Sequence, residues 1–115
     1  MKLSDKLKRI LKNLPTSFEK KIIDLCEKYN LPFRYIGNGE VIIGFRNPDF
    51  IECNGKKLII ETYCSFYHPE DYEEKRGKLF AKYGYRTLFL NENDLCDDSW
   101  ESICLNKIKN FLNSN

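Results

Sequence analysis

An α/β fold, a mixed sheet of four to five strands flanked by helices, is what this sequence predicts. Three observations point to it. Both ends carry apolar residues at helical spacing. The middle carries short β-branched and aromatic runs separated by glycine-containing turns. A helical segment then separates the last such run, Tyr85–Leu90, from the others. A strand reached through a helix joins a sheet by a crossover, which mixes parallel with antiparallel pairing.

Taken in order, Leu3, Leu7, Ile10, Leu11 and Leu14, with lysines between them, predict a basic helix over residues 1–15, closed by Pro15. Thr16 or Ser17 caps a second helix whose inner face is Phe18, Ile22, Ile23, Leu25 and Cys26. Strands are expected over Phe33–Ile36, Val41–Phe45, Pro48–Glu52 and Lys57–Tyr63, with turns at Gly37–Gly39 and Asn54–Gly55. Pro69–Tyr83 repeats Tyr72, Lys75/Arg76, Leu79, Phe80 and Tyr83 as a helix should, and Gly84 suits its C-cap. A last helix over Asp98–Leu112 turns Trp100, Ile103, Cys104, Ile108 and Phe111 inward. These elements make one domain, with a basic N-terminal helix (1–15), a core (16–95) and a C-terminal helical segment (96–115).

At 115 residues, 42% hydrophobic and 31% charged, the chain can bury a real core. No apolar run approaches the roughly 18 residues of a membrane span. The charged N-terminus lacks a secretory apolar stretch, so no membrane partner and a cytoplasmic location are expected. Five cysteines, no CxxC pair and one histidine read as buried reduced thiols rather than a disulfide or zinc framework. The net charge of +2 hides an axis. Residues 1–28 hold eight Lys/Arg against four Asp/Glu, and residues 91–115 hold two against five. A basic end of this kind is either a solvated helix face or a surface for a phosphate backbone.

The stretch Asn47–Tyr63, NPDFIECNGKKLIIETY, sets two carboxylates, Asp49 and Glu61, among core-forming residues. A two-residue turn at Asn54–Gly55 opposes Asp49 to Ile60 and sends Glu61 to the other face. A three-residue turn with a bulge at Gly55 puts both acids on one face, diagonally apart. We expect the shared face. Two like charges so placed repel unless a cation lies between them, and a hard divalent ion takes one or two carboxylates and keeps several waters. Without an ion, Asp49 caps a turn and Glu61 pairs with a base.

Pro48-Asp49, then Glu61-Thr62-Tyr63 closing an apolar strand, resembles the PD-(D/E)xK restriction-endonuclease-like superfamily. The longer stretch GNGEVIIGFRNPDFIECNGKKLIIETYCSFYH, with DYEEKRGKLFAKYGYRTLFLNENDL after it, resembles the very short patch repair endonucleases and the EDxHD homing endonucleases. The resemblance spans roughly residues 16–95 and implies an Mg²⁺- or Mn²⁺-dependent endodeoxyribonuclease. By the same resemblance Asp49, Glu61 and the Thr62 carbonyl are metal ligands, Glu19 completes the shell or orients a water, and His68 is the general base or acid. Asp71 or Asp94 stands for the family's final aspartate. Tyr63 replaces the usual lysine and Cys64 a frequent glycine, and the Cys/His pattern of the repair enzymes' zinc site is missing. Lys20, Lys21, Arg34, Arg46 and the lysines of the first helix are candidate DNA-backbone contacts. So short a domain implies action as a homodimer or with a partner DNA-binding protein. The competing reading is a catalytically decayed nuclease-fold DNA-binding module.

Overall fold

A computed structural model of the chain describes residues 16–114; the helix read over 1–15 lies outside the described residues. Helix α1 spans Ser17–Tyr29 with Thr16 as its N-cap. The Thr16 hydroxyl accepts from the Glu19 amide, and the Glu19 carboxylate accepts from the Thr16 amide. This reciprocal arrangement satisfies two amides that the first turn leaves free. Asn30, left-handed at φ 52°, ends the helix.

Strands β1 (Phe33–Tyr35), β2 (Phe50–Glu52) and β3 (Leu58–Thr62) form an antiparallel meander. Helix α2 (Tyr72–Ala81) then carries the chain across to β4 (Arg86–Leu90), which lies parallel to β3. The sheet order is β1-β2-β3-β4, so the mixed sheet flanked by helices is present with four strands. A short α3 (Glu92–Leu95) and a long α4 (Trp100–Asn113) follow.

β3 is the central strand, buried from Leu58 through Glu61. On one sheet face Phe50, Leu58 and Ile60 pack with Ile22, Leu25, Cys104 and Ile108 of α1 and α4. On the other, Ile59 packs with Phe80 of α2 and with Ile43. Alternation along β3 is therefore buried on both sides, which gives a continuous apolar run rather than an apolar-polar one.

Several expectations need correction. Val41–Phe45 is no strand: Ile43 and Arg46 form an isolated bridge around Gly44 and Phe45, at φ 58° and 65°. Its β-prone residues instead turn Ile43 into the α2 face of the core. The helix expected from Pro69 begins at Tyr72, the last begins at Trp100 rather than Asp98, and α3 was not expected. Its signature is the pair Asn91 and Asp94, which cap each other's amides. Of the five thiols, Cys26 and Cys104 are buried, whereas Cys53 and Cys96 are exposed; all are free.

Neither expected hairpin turn occurs. Phe50 faces Ile60 and Ile51 faces Ile59, and the connection runs from Cys53 to Lys57 between the strand ends. Gly55 and Lys57 take positive φ. Buried Glu52 holds this loop, accepting from the Asn54 amide and, at 2.7 Å, from the Lys56 amide. Glu52→Ala leaves those donors unmatched and is expected to cost about 2 kcal/mol, measured as a lower urea midpoint; Glu52→Gln should recover part of it.

Candidate metal-binding and catalytic site

Continuing the β2–β3 register by one step brings Asp49 opposite Glu61, on the face that also carries Ile59. The two acids therefore share a face, as expected, through a register that neither considered turn produces. Asp49 is fixed from β3: its Oδ2 accepts from the Thr62 amide at 2.8 Å and the Thr62 hydroxyl at 3.2 Å. The Asp49 carbonyl in turn accepts from the Ile36 amide at 2.8 Å, tying the acid to the end of β1.

Glu61 is 2% exposed, and its Oε1 has no hydrogen-bond partner. Among the described residues its cationic neighbour is Arg76 of α2, whose Nη2 stands 3.7 Å from that oxygen, outside hydrogen-bond reach. Arg76 Nε is likewise buried without a partner. The guanidinium lies 5.9 Å from the Tyr72 ring centre and 5.4 Å from that of Phe80. Both rings attract a cation whose hydration has been stripped.

Crowded acids hold their protons. Burial and then the charges of Glu61 and Glu19 raise the Asp49 pKa well above its ordinary value, against the Thr62 amide. Burial raises Glu61 to about 7, opposed by Arg76 and reinforced by Glu19. Glu19, buried in the first turn of α1, thus belongs electrostatically to the same centre while its carboxylate also caps the helix. Among the described residues no three His, Cys, Asp or Glu side chains form a ready cage for an ion. The donor set suits a hard cation that keeps most of its own waters: two facing carboxylates, one oxygen unpaired.

The remaining predicted residues take varied places. His68 is exposed and stacks on Tyr72, with ring centres 4.1 Å apart. Tyr72 is itself raised to about 12, by burial first and by Glu61 next. One aromatic ring thus separates the imidazole from the acids. Tyr63 donates its hydroxyl to Glu73 and packs edge-on to His68. Asp71 stands at the N-cap position of α2 without a side-chain capping bond and pairs instead with Lys75 at 3.0 Å. Asp94 is held at the far end of the chain by Lys107 at 2.5 Å and by the Asn91 amide.

Among the cations, Lys20 pairs with Asp24 and Arg34 with Glu40, both at the surface. Lys21 is engaged inward, donating to the Leu95 carbonyl and lying 4.9 Å from the Trp100 ring centre. Arg46 joins Asp71, Tyr72, Lys75, Arg76 and Leu79 around an open cleft of about 240 Å³. Tyr72 and Arg76 were read as helix-face residues only. The available signal was an arginine on the apolar side of a helix, which demands a buried partner or an anion.

No protein-family model and no curated protein matches the chain. A search of solved structures finds the "Homing Endonuclease I-Bth0305I Catalytic Domain", with a TM-score of 0.56, 20% identity, and coverage of 84% of this chain and 97% of that one. The chain is similar to that domain in fold, a four-stranded mixed sheet between helices.

Proposed function

We propose that the protein is a metal-dependent DNA endonuclease with one active site per chain, related in kind to the very short patch repair and EDxHD homing enzymes. The observation that carries this reading is the Asp49–Glu61 pair, Asp49 half-buried and Glu61 fully buried, held face to face with an unpaired Glu61 oxygen. A stability-driven core has no use for two facing acids of which one keeps an unsatisfied buried oxygen; a cation site does. The similarity to a homing endonuclease catalytic domain supports the same reading at the level of fold.

Asp49 and Glu61 would hold Mg²⁺ or Mn²⁺, with the Thr62 carbonyl as third protein ligand. Bound there, the ion supplies Lewis-acid polarisation of the phosphate and lowers the pKa of the attacking water. Thr62 aims the Asp49 carboxylate through its amide and hydroxyl. Glu19 orients water beside the acids, and the exposed His68 imidazole takes or returns the proton. Arg76 supplies the positive charge that Tyr63 cannot, at the cleft where the phosphate would lie. Lys75, Arg46, Lys20 and Arg34 are surface cations able to contact the backbone without reading sequence. Two chains, or a partner, are needed to break both strands.

One observation favours the alternative, a decayed DNA-binding module: the Tyr63 hydroxyl is tied to Glu73, leaving no cation at that strand position. Supercoiled plasmid decides between them. With Mg²⁺ or Mn²⁺ the protein should nick it, Asp49→Ala should abolish nicking, and His68→Ala should slow it about 100-fold. Arg76→Gln should also slow it at least tenfold. DNA binding without nicking by the unaltered protein would establish the decayed module instead.

Two further outcomes concern the folded protein itself. Glu61, at about 7 when folded against 4.5 ordinarily, binds more protons in the native than in the unfolded state between those values. Metal-free stability should therefore fall as pH rises from about 4.5 to 7, which a series of melts in EDTA measures. Mg²⁺ at ten times its Kd should add about 1.4 kcal/mol, or roughly 5 °C in Tm, at pH 8. Asp49→Asn should raise the Tm in EDTA and abolish the response to Mg²⁺.

A further inference from the structure

Residues 43–46 close a two-residue hairpin turn. The Ile43 amide donates to the Arg46 carbonyl at 2.7 Å and the Arg46 amide donates to the Ile43 carbonyl at 3.0 Å. Both central residues have positive φ, Gly44 at 58° and Phe45 at 65°, the mark of a turn that favours Asn-Gly or Gly-Gly. Gly44 fits that requirement, and it also lies so close to Leu79 of α2 and to Tyr83 just past the helix end that a Cβ there would fall 2.8 Å from the Tyr83 ring. Phe45 does not fit. A phenylalanine in the left-handed region is strained, and strain persists where the surroundings impose it.

The surroundings do impose it. Ile43 is buried against Ile59 and Phe80, and the Gly44 backbone sits on α2, so the turn is pinned on both sides of its tip. The Phe45 ring gains nothing by it within the described residues: it is 91% exposed. A single exposed apolar residue is ordinary; one held rigidly in an unfavourable backbone conformation is not. Its neighbour Arg46 lines the cleft that contains Arg76 and Lys75 and adjoins the acid pair.

From these features we infer that Phe45 is a base-stacking element, which meets an unstacked or splayed nucleobase while Arg46 holds the adjoining phosphate. The inference rests on the DNA reading above and deepens it. The cleft carries three cationic side chains, Arg46, Lys75 and Arg76, against Asp71, which suits a polyanion, and an aromatic ring beside a backbone-tracking groove is how proteins engage bases without reading sequence. A protein partner would be expected to meet a broader apolar surface; among the described residues this tip adds only Ile42, 60% exposed, and the Tyr83 ring, 49% exposed, to Phe45.

The test uses Phe45→Asn and Phe45→Trp in the full chain, with two readouts. Asparagine tolerates positive φ, so Phe45→Asn should raise the Tm by about 3 °C. It should also weaken binding to a fluorescein-labelled duplex, or to its single strand, roughly tenfold by fluorescence polarisation in Ca²⁺. Phe45→Trp should bind within about threefold of the unaltered protein, because it keeps the stacking surface. A lower Tm for Phe45→Asn would overturn the inference, since the ring would then be stabilising the fold rather than standing free to stack. Unchanged affinity for both DNAs in Phe45→Asn would also overturn it, and if the unaltered protein still binds and nicks, the nuclease reading stands without it. An unaltered protein that neither binds nor nicks DNA would remove both.

Discussion

Two carboxylates meeting across one pair of strands is the constraint around which the rest of the fold is arranged. Asp49 and Glu61 face each other because β2 and β3 pair in one particular register, and a shift of a single residue would turn one of them to the α1–α4 side. That register is held from both ends of the hairpin. At the closed end Glu52 gathers the loop by two amides. At the open end Thr62 grips Asp49 itself. The acids would repel each other into protonation if left alone, so the packing on either side works against their charge rather than because of it.

Arg76 is the counterweight. It reaches the acids from α2, across the sheet face that carries Ile59, and it is kept there by two aromatic rings rather than by strong hydrogen bonds. An ion pair stretched to 3.7 Å with unsatisfied atoms at both ends adds little to stability. It leaves both groups available to something else: an oxygen free for a cation, and a guanidinium with donors free for an anion. On the proposed reading, a phosphodiester brought together with a divalent ion would satisfy both deficits at once. The crossover helix is thus part of the site as well as of the scaffold.

Helices α1, α2 and α4, the meander core and the parallel return were legible because hydrophobic spacing and caps are local signals: Ile22 to Cys26 marks one helix face, and Thr16 and Glu19 its start. The sharing of a face by Asp49 and Glu61 was legible in outcome but not in mechanism. Turn rules weigh Asn54–Gly55 and do not see Glu52 reaching forward to hold a longer loop. Val41–Phe45 misled because β-propensity is a statement about fitting a pleated surface, and here α2 offered Ile43 and Gly44 a better seat. Arg76 was visible as a helix-face residue; its partner lies on a strand 15 positions earlier, a relation that only the crossover creates.

Asn47 has an effect on how such a scaffold can change. Its side-chain nitrogen donates to the Ile36 and Val41 carbonyls, each at 2.7 Å, and its oxygen accepts from the Gly39 amide at 3.0 Å. One amide group therefore staples the excursion from Gly37 to Arg46 shut at its neck, two residues before Asp49. Whatever is spliced into the far side of that staple tugs on Asn47 and not on Asp49. On the proposed reading, what the loop touches and what the two acids hold could then be revised separately, the first by trading loop contents and the second not at all.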